Sequence, residues 1–168
     1  MLRIARKLRV VQLRRPDATP LVFPGGSRAA LTPDQLVVQV RDNALVYDPT
    51  SGRLVLARPL RRDSFRAPED SVFGRTATPS PDLLDADQGL VVYASGRRLR
   101  LLRLSDGFDA IIAEGAYGEE SLEFPFFAAR FTTAGLFYGI SARSRLESAA
   151  GSGRLVFVPW DALGAALP

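Results

Sequence analysis

Three acidic side chains of this 168-residue chain lie close together in the segment DLLDAD at residues 82–87. If that segment is a strand, Asp85 and Asp87 project to the same side, as a calcium site or a carboxylate pair for glycoside hydrolysis requires. Asp87 is also followed by Gln and Gly, a composition typical of a tight turn. The turn interpretation is preferred, and Asp82, Asp85 and Asp87 are kept as weak catalytic candidates.

The chain contains no cysteine and no histidine. Disulfides, thiolate nucleophiles and Ser-His-Asp catalysis are therefore excluded within the chain, as are the nitrogen and sulfur ligands of zinc, haem and iron–sulfur sites. An enzyme would have to use carboxylates, hydroxyls, tyrosine, arginine and the single lysine. The composition therefore does not favour an enzyme, and it predicts neither a metal site nor a cofactor.

Lysine and arginine outnumber aspartate and glutamate by 22 to 18, and Lys7 is the only lysine. Arginine suits phosphate binding because of its planar fork, but arginine in place of lysine is also typical of a GC-rich genome. The cations are spread along the chain among acidic residues, whereas a nucleic-acid footprint gathers them on one face. A nucleic-acid partner is therefore not favoured. The recurrent arginine groups are interpreted as charges on edge strands that prevent pairing with strands of other molecules. The alternative is that they form a basic rim that binds an acidic partner.

The stretch from residue 58 to residue 81 contains four prolines and little periodicity. It is interpreted as a long surface loop over residues 61–81. Loops on a rigid scaffold are common recognition sites. The residues predicted to contact a protein or peptide partner are arginines and phenylalanines of this loop, namely Arg61, Arg62, Phe65, Arg66, Phe73 and Arg75.

A turn followed by a short apolar strand recurs in three copies, which cover residues 31–40, 85–94 and 131–140. Leu36, Leu90 and Leu136 occupy equivalent places, 54 and 46 residues apart. Short apolar segments bounded by Gly, Pro and Asp are typical of β-strands joined by tight turns. The repeats therefore predict an all-β, single-domain chain.

A strand–turn–strand hairpin follows each copy, at residues 44–57, at 98–113 and, cut short, at 154–161. Another hairpin, over residues 7–23, precedes the first copy. Helical patterning is scarce, so a short helical turn is expected only at residues 160–167.

The turn–strand LTPDQLVVQV and the hairpin LVYDPTSGRLVLA resemble parts of a blade in the TolB-like and WD-type β-propeller families. The final GRLVFVPWDAL is similar to the close of a bacterial propeller chain. The resemblance implies blades of four antiparallel strands at residues 27–60 and 83–115. It also implies a third blade, split between residues 124–160 and 2–23.

Three blades are fewer than the four to eight of a closed ring. Three arrangements are open: two chains that form a six-bladed ring, a half-ring or fragment of a longer propeller, and another all-β fold such as a sandwich or irregular barrel. Aromatic residues are concentrated in the last third of the chain. They are interpreted as core, with a hydrophobic face for self-association as the alternative.

No apolar run approaches the roughly 20 residues of a membrane helix, and the N-terminal segment alternates charged and apolar residues, unlike a signal peptide. A cytoplasmic location is therefore the default expectation, without a membrane partner. The function expected is a non-enzymatic binding or scaffolding module of the β-propeller type that self-associates. The alternative is a carbohydrate-active hydrolase that uses Asp82, Asp85 or Asp87.

Overall fold

A computed structural model describes residues 7–10, 21–24, 26–66, 76–115, 126–142 and 152–167. These residues form fifteen strands and one short helix. The chain divides into two compact units, residues 1–60 and 61–168. Two of the predicted partner contacts, Phe73 and Arg75, lie outside the described residues, as do parts of the intervals predicted to be blades.

The first unit contains a two-stranded sheet and a four-stranded sheet. In the smaller sheet β1 (Lys7–Val10) pairs with β2 (Leu21–Pro24). The larger sheet is an antiparallel meander of four strands in chain order, namely β3 (Gly26–Leu31), β4 (Leu36–Val40), β5 (Asn43–Tyr47) and β6 (Leu54–Pro59). Leu36 and Val38 of β4 form the buried cluster of this sheet, with Val40 and Tyr47 packed against them.

The turn between β5 and β6 has the chemistry that its sequence predicts. Asp48 Oδ1 accepts the N–H groups of Thr50 and Ser51 at 2.8 and 2.7 Å. Gly52 has a φ of 68°. An Asp side chain that mimics a turn carbonyl, followed by a glycine in the left-handed region, fixes the hairpin locally.

The second unit contains one short pair of strands and two larger sheets. The short pair, within the interval predicted to be a loop, joins β7 (Phe65–Arg66) to β8 (Thr76–Ala77). The four-stranded sheet consists of β9 (Asp82–Asp87), β10 (Leu90–Ser95), β11 (Arg98–Arg103) and β12 (Asp109–Glu114). The three-stranded sheet consists of β13 (Phe126–Thr132), β14 (Gly135–Ala142) and β15 (Ser152–Pro159).

The two larger sheets of this unit share one hydrophobic core. Val92, Leu99 and Leu101 contribute from the four-stranded sheet, and Leu136 and Tyr138 from the three-stranded sheet. Because successive residues of a strand alternate between faces, each sheet has a second face that points away from this core.

The only helix among the described residues is α1 (Trp160–Ala165), at the position predicted for a short helical turn. Leu163 lies in the shared core. The Trp160 ring stacks on Phe131 with centroids 5.4 Å apart, and its Nε1–H donates to the Thr132 carbonyl at 3.1 Å. Trp160 therefore fixes the helix against the turn between β13 and β14.

The prediction of an all-β, antiparallel fold is confirmed. The four-stranded sheets span residues 26–59 and 82–114, and Leu36, Leu90 and Leu136 all lie in the second strand of their sheet. That these sheets are propeller blades stays a prediction, as do the single domain and the split blade. No helix in the described part of the chain is long and apolar enough to cross a membrane.

Candidate functional site

The segment predicted to bind a partner begins with residues 61–64, which we call the anchored segment. The Arg61 N–H donates to the Tyr93 hydroxyl at 3.1 Å, and the Asp63 N–H donates to Ser95 Oγ at 2.7 Å. Tyr93 and Ser95 are two residues apart on β10, so their side chains leave the same face of the sheet. The segment therefore lies against the face of the four-stranded sheet that points away from the shared core.

Arg100 joins this segment to the sheet through two carboxylates. Its side chain is 4% exposed, and Nε donates to Asp109 Oδ1 at 2.8 Å. Nη1 donates to both carboxylate oxygens of Asp63, at 2.9 and 3.1 Å. Arg98 adds a contact of 3.2 Å to Asp63 Oδ1. A buried guanidinium with a carboxylate on each side satisfies the rule that buried charges are paired.

Tyr93 completes the network. It lies directly opposite Arg100 in the β10–β11 ladder, is fully buried, and donates its hydroxyl hydrogen to Asp109 Oδ2. The same hydroxyl oxygen accepts the Arg61 N–H. Because the hydroxyl both donates and accepts, one phenol holds the carboxylate and the start of the anchored segment together.

The pKa values of Tyr93 and Arg100 are both shifted away from neutral pH. Burial raises the pKa of Tyr93 above its ordinary value, and the hydrogen bond to Asp109 and its charge raise it further. Burial lowers the pKa of Arg100, but the hydrogen bond and charge of Asp109 outweigh it and the net pKa is raised. Neither group changes protonation near neutral pH, so neither provides a general acid or base there.

Two of the partner candidates, Arg61 and Arg62, lie at the surface beside this network. The Arg61 side chain is 67% exposed, with Nε 3.9 Å from Asp109 Oδ2, and Arg62 is also exposed. Phe65 and Arg66 form β7, whose backbone pairs with β8. The network thus fixes the backbone from which Arg61 and Arg62 project.

The three predicted catalytic aspartates all lie on β9, and two have identified structural roles. Asp85 is buried, and its Oδ2 accepts the Phe131 N–H of β13 at 2.8 Å. Its Oδ1 is 3.5 Å from Arg130 Nη1. Asp87 Oδ1 accepts the Gln88 N–H at 2.9 Å. Asp85 therefore joins β9 to β13, and Asp87 caps a turn.

The turn after Asp87 is the tight turn that its sequence predicts, since Gln88 and Gly89 both have positive φ angles of 47° and 75°. Such a pair of residues forms a two-residue hairpin turn of type I′. Among the residues that the structure describes, no group of three or more carboxylates lies close enough to hold a metal ion.

A second feature is the face of the three-stranded sheet that points away from the core, which we call the outer face. Leu155 is 75% exposed and Phe157 is 43% exposed. Phe137 lies opposite Phe157 in the β14–β15 ladder, with ring centroids 4.6 Å apart. The outer face comprises Ala128, Arg130, Phe137, Gly139, Leu155 and Phe157.

Gly139 leaves a shallow groove of about 380 Å³ in the outer face, because it has no side chain between Ala128 and Leu155. Arg130, with a side chain that is 80% exposed, and Arg154 line the same groove. The strands β13, β14 and β15 contain no acidic residue. An apolar surface of this kind on a folded domain indicates an interaction site.

The sequence did not predict the Arg100 network. It also did not tell which aromatic residues lie in the core and which lie on the outer face. An arginine in the middle of the strand RLRLLR was the available signal for a buried charge. Phe131, Tyr138 and Trp160 pack in or against the core, as predicted, whereas Phe137 and Phe157 lie on the outer face. The core interpretation therefore accounts for part of the aromatic cluster, and the use of the outer face for self-association stays a prediction.

Comparison of the chain with protein families, with curated proteins and with solved structures finds no match in any of the three. The physical features of the two surfaces are therefore the basis for a functional assignment.

Proposed function

We propose that the chain is a non-enzymatic binding or scaffolding module of the β-propeller type that associates with copies of itself through the outer face. The observation that carries this proposal is the exposure of Leu155 and Phe157 on a sheet whose opposite face is already packed. Burying apolar surface contributes about 25 cal/mol per Å², and exposed apolar patches of a few hundred Å² commonly mark interaction sites.

The sheet arrangement supports the propeller part of the proposal. Sheets of four antiparallel strands in chain order occur twice, at residues 26–59 and 82–114. Propeller blades have this order of strands. In such a fold the scaffold is rigid and the binding surfaces are its loops and open faces.

The Arg100 network supports the non-enzymatic part. Arg100 and Tyr93 do not change protonation near neutral pH, and the Asp85 carboxylate is hydrogen-bonded to the Phe131 N–H of β13. The anchored segment presents Arg61 and Arg62 on a fixed backbone. These arginines are the proposed contacts for a further protein or peptide partner.

The test of self-association is the mass in solution as a function of concentration, measured by light scattering after size-exclusion chromatography. The wild-type chain is expected to shift from the mass of one chain toward twice that mass. The variant Leu155→Ser/Phe157→Ser removes apolar surface from the outer face and is expected to remain monomeric. Both side chains are exposed, so its unfolding free energy should change little.

A matched control uses exposed apolar residues of the other unit. Leu31 is 63% exposed and Val55 is 67% exposed. The variant Leu31→Ser/Val55→Ser is expected to associate as the wild type does. A wild-type chain that stays monomeric at every concentration contradicts the proposal.

A further inference from the structure

The edge strands of the three larger sheets are not alike. Six described strands lie at such edges: β3, β6, β9, β12, β13 and β15. The first five each contain one extra residue that interrupts the ladder with the neighbouring strand, and these residues are Ser27, Val55, Leu84, Ile112 and Phe127. The ladder of β15 with β14 runs through eight successive pairs without a shift.

Interrupted edges resist pairing with another chain. A bulge bends the strand and increases its twist, so that a further strand cannot align along it, and charged side chains have a similar effect. Asp82, Asp85 and Asp87 lie on β9, and Asp109 and Glu114 lie on β12. On β13, the Phe131 N–H is already taken by Asp85.

The strand β15 has few of these protections. It is eight residues long, with an apolar run from Leu155 to Val158 and Arg154 as its one charged residue. Pro159 lacks an N–H group but stands at the last position, where it does not interrupt the strand. Within the described residues β15 pairs only with β14, in a sheet that has three strands where the other two larger sheets have four.

We propose that β15 pairs antiparallel with β15 of a second copy, about a twofold axis that passes by Val156. This inference rests on the proposed self-association and places the contact at the edge of the sheet that carries the outer face, where Leu155 and Phe157 of the two copies meet as cross-strand neighbours. In this register Leu155 lies opposite Phe157 of the second copy, and Arg154 lies opposite Val158 of the second copy. Cross-strand pairs of aliphatic and aromatic side chains stabilise a sheet, and no like charges face each other.

A second copy suits this edge better than an unrelated peptide for two reasons. An antiparallel pair of identical strands satisfies twofold symmetry, the commonest symmetry of protein oligomers. The pairing also joins the two outer faces into one six-stranded surface, on which Phe157 of one copy lies opposite Leu155 and diagonal to Phe157 of the other. The single cation of β15 offers little charge complementarity to an acidic peptide.

The expected complex is weak. Seven residues in the ladder extend for about 24 Å, which buries less than the roughly 1,200 Å² of a stable interface. Association is therefore expected to be transient and to depend on protein concentration.

Disulfide trapping tests the register, because the chain has no cysteine of its own. Leu155→Cys and Phe157→Cys are made in separate chains, one of which carries a mass tag, and the two are mixed with oxidised glutathione. Residues 155 and 157 of opposite copies would have Cα atoms about 5 Å apart, within disulfide range. Two copies of residue 155 would lie about 8 Å apart, beyond that range.

Random pairing of equal amounts of the two variants gives about twice as much mixed disulfide as disulfide between two copies of either variant. The mixed disulfide is expected to exceed this ratio. The exposed positions Leu31 and Val55, changed to cysteine in the same way, are controls expected to cross-link slowly. In the wild-type chain, hydrogen exchange of β15 amides should slow as concentration rises, while exchange of β13 amides should not.

Two results would overturn the inference, and they differ in what they say of the proposed function. A chain that dimerises by mass but forms no excess of the mixed disulfide associates through the outer face without pairing β15. A chain that neither dimerises nor cross-links removes both proposals. An excess of the mixed disulfide together with concentration-dependent protection of β15 supports the inference.

Discussion

The two larger sheets of the second unit use the faces that point away from their shared core in opposite ways. The four-stranded sheet carries Arg100 and Asp109 on that face, and both side chains are buried under the anchored segment. The three-stranded sheet carries Leu155 and Phe157 there, and both are exposed. The charged pair shares its face with the buried residues Leu83, Val91 and Leu102, whereas the outer face leaves two large apolar side chains exposed. Hydropathy alone predicts neither the buried charges nor the exposed apolar side chains.

Within one unit, the buried ion network is expected to affect the stability of the fold and the outer face is expected to affect interaction with a partner. A buried ion network contributes mainly through the cost of breaking it, since a lone buried charge is strongly unfavourable. An exposed apolar face contributes little to the stability of the isolated chain but is available to a partner. Substitutions in the two sheets are therefore expected to have different consequences.

The largest effect is expected from Arg100→Leu, which leaves Asp63 and Asp109 without their main cation. Removing one partner of a buried ion pair typically costs about 3–5 kcal/mol, so the unfolding free energy should fall by about this amount. Urea denaturation measures it. Arg103→Leu on the same strand is the control, since Arg103 pairs with Asp106 at the surface and its loss should matter far less. Equal losses for the two variants would refute the assignment of a buried network.

A smaller decrease in stability is expected from Gly135→Ala in the three-stranded sheet. Gly135 has a φ of 151°, and a Cβ there would lie 2.2 Å from the Val158 carbonyl oxygen. The backbone of β14 or β15 must then shift, and strained backbone positions cost about 1–3 kcal/mol each. Gly89→Ala is the control, because a Cβ there meets no atom although its φ is also positive. Thermal unfolding that ranks Gly89→Ala as the more damaging change would contradict the close approach.

The smallest effect is expected from Tyr93→Phe, at about 1–2 kcal/mol, because it removes one hydroxyl with two hydrogen bonds. The change also alters the dependence of stability on pH. Because the pKa of Tyr93 is raised in the folded state, the folded chain holds this proton more tightly than the unfolded chain. The associated stability is complete below about pH 10, the ordinary pKa of tyrosine, and is lost as pH rises above it.

Unfolding free energies measured from pH 8 to 11 test this sign. The wild-type curve should fall more steeply above about pH 10 than the curve of Tyr93→Phe. Tyr138→Phe is the matched control, since burial raises the pKa of Tyr138 without a contribution from Asp109. Parallel wild-type and Tyr93→Phe curves would show that the phenol does not hold the Asp109 carboxylate.

The strands and turns could be predicted because their signals are local. The repeats placed Leu36, Leu90 and Leu136 on equivalent strands, and the Asp87–Gln–Gly segment was predicted as a turn from its own residues. The terminal helix at Trp160 was predicted for the same reason. In each case the interaction that decides the conformation lies within a few residues of chain.

The Arg100 network and the outer face could not be predicted because they depend on distant residues and on register. Asp63 is 37 residues from Arg100 in the chain, and its partner is known only once the anchored segment is placed. In β15 both alternating sets of residues are apolar, so the pattern does not tell whether Val156 or Phe157 faces the core. The bulges that distinguish the edges likewise have no clear signature in the residues themselves.

The hydrogen bond from the Phe131 amide to Asp85 has a consequence for the cooperativity of the second unit. It joins the backbone of one sheet to a side chain of the other, next to the Arg130–Asp85 contact and beside the shared hydrophobic core. Separating the sheets would break this hydrogen bond and expose the shared hydrophobic core at the same time. We therefore expect the two sheets to unfold in one transition, although their strands form separate ladders.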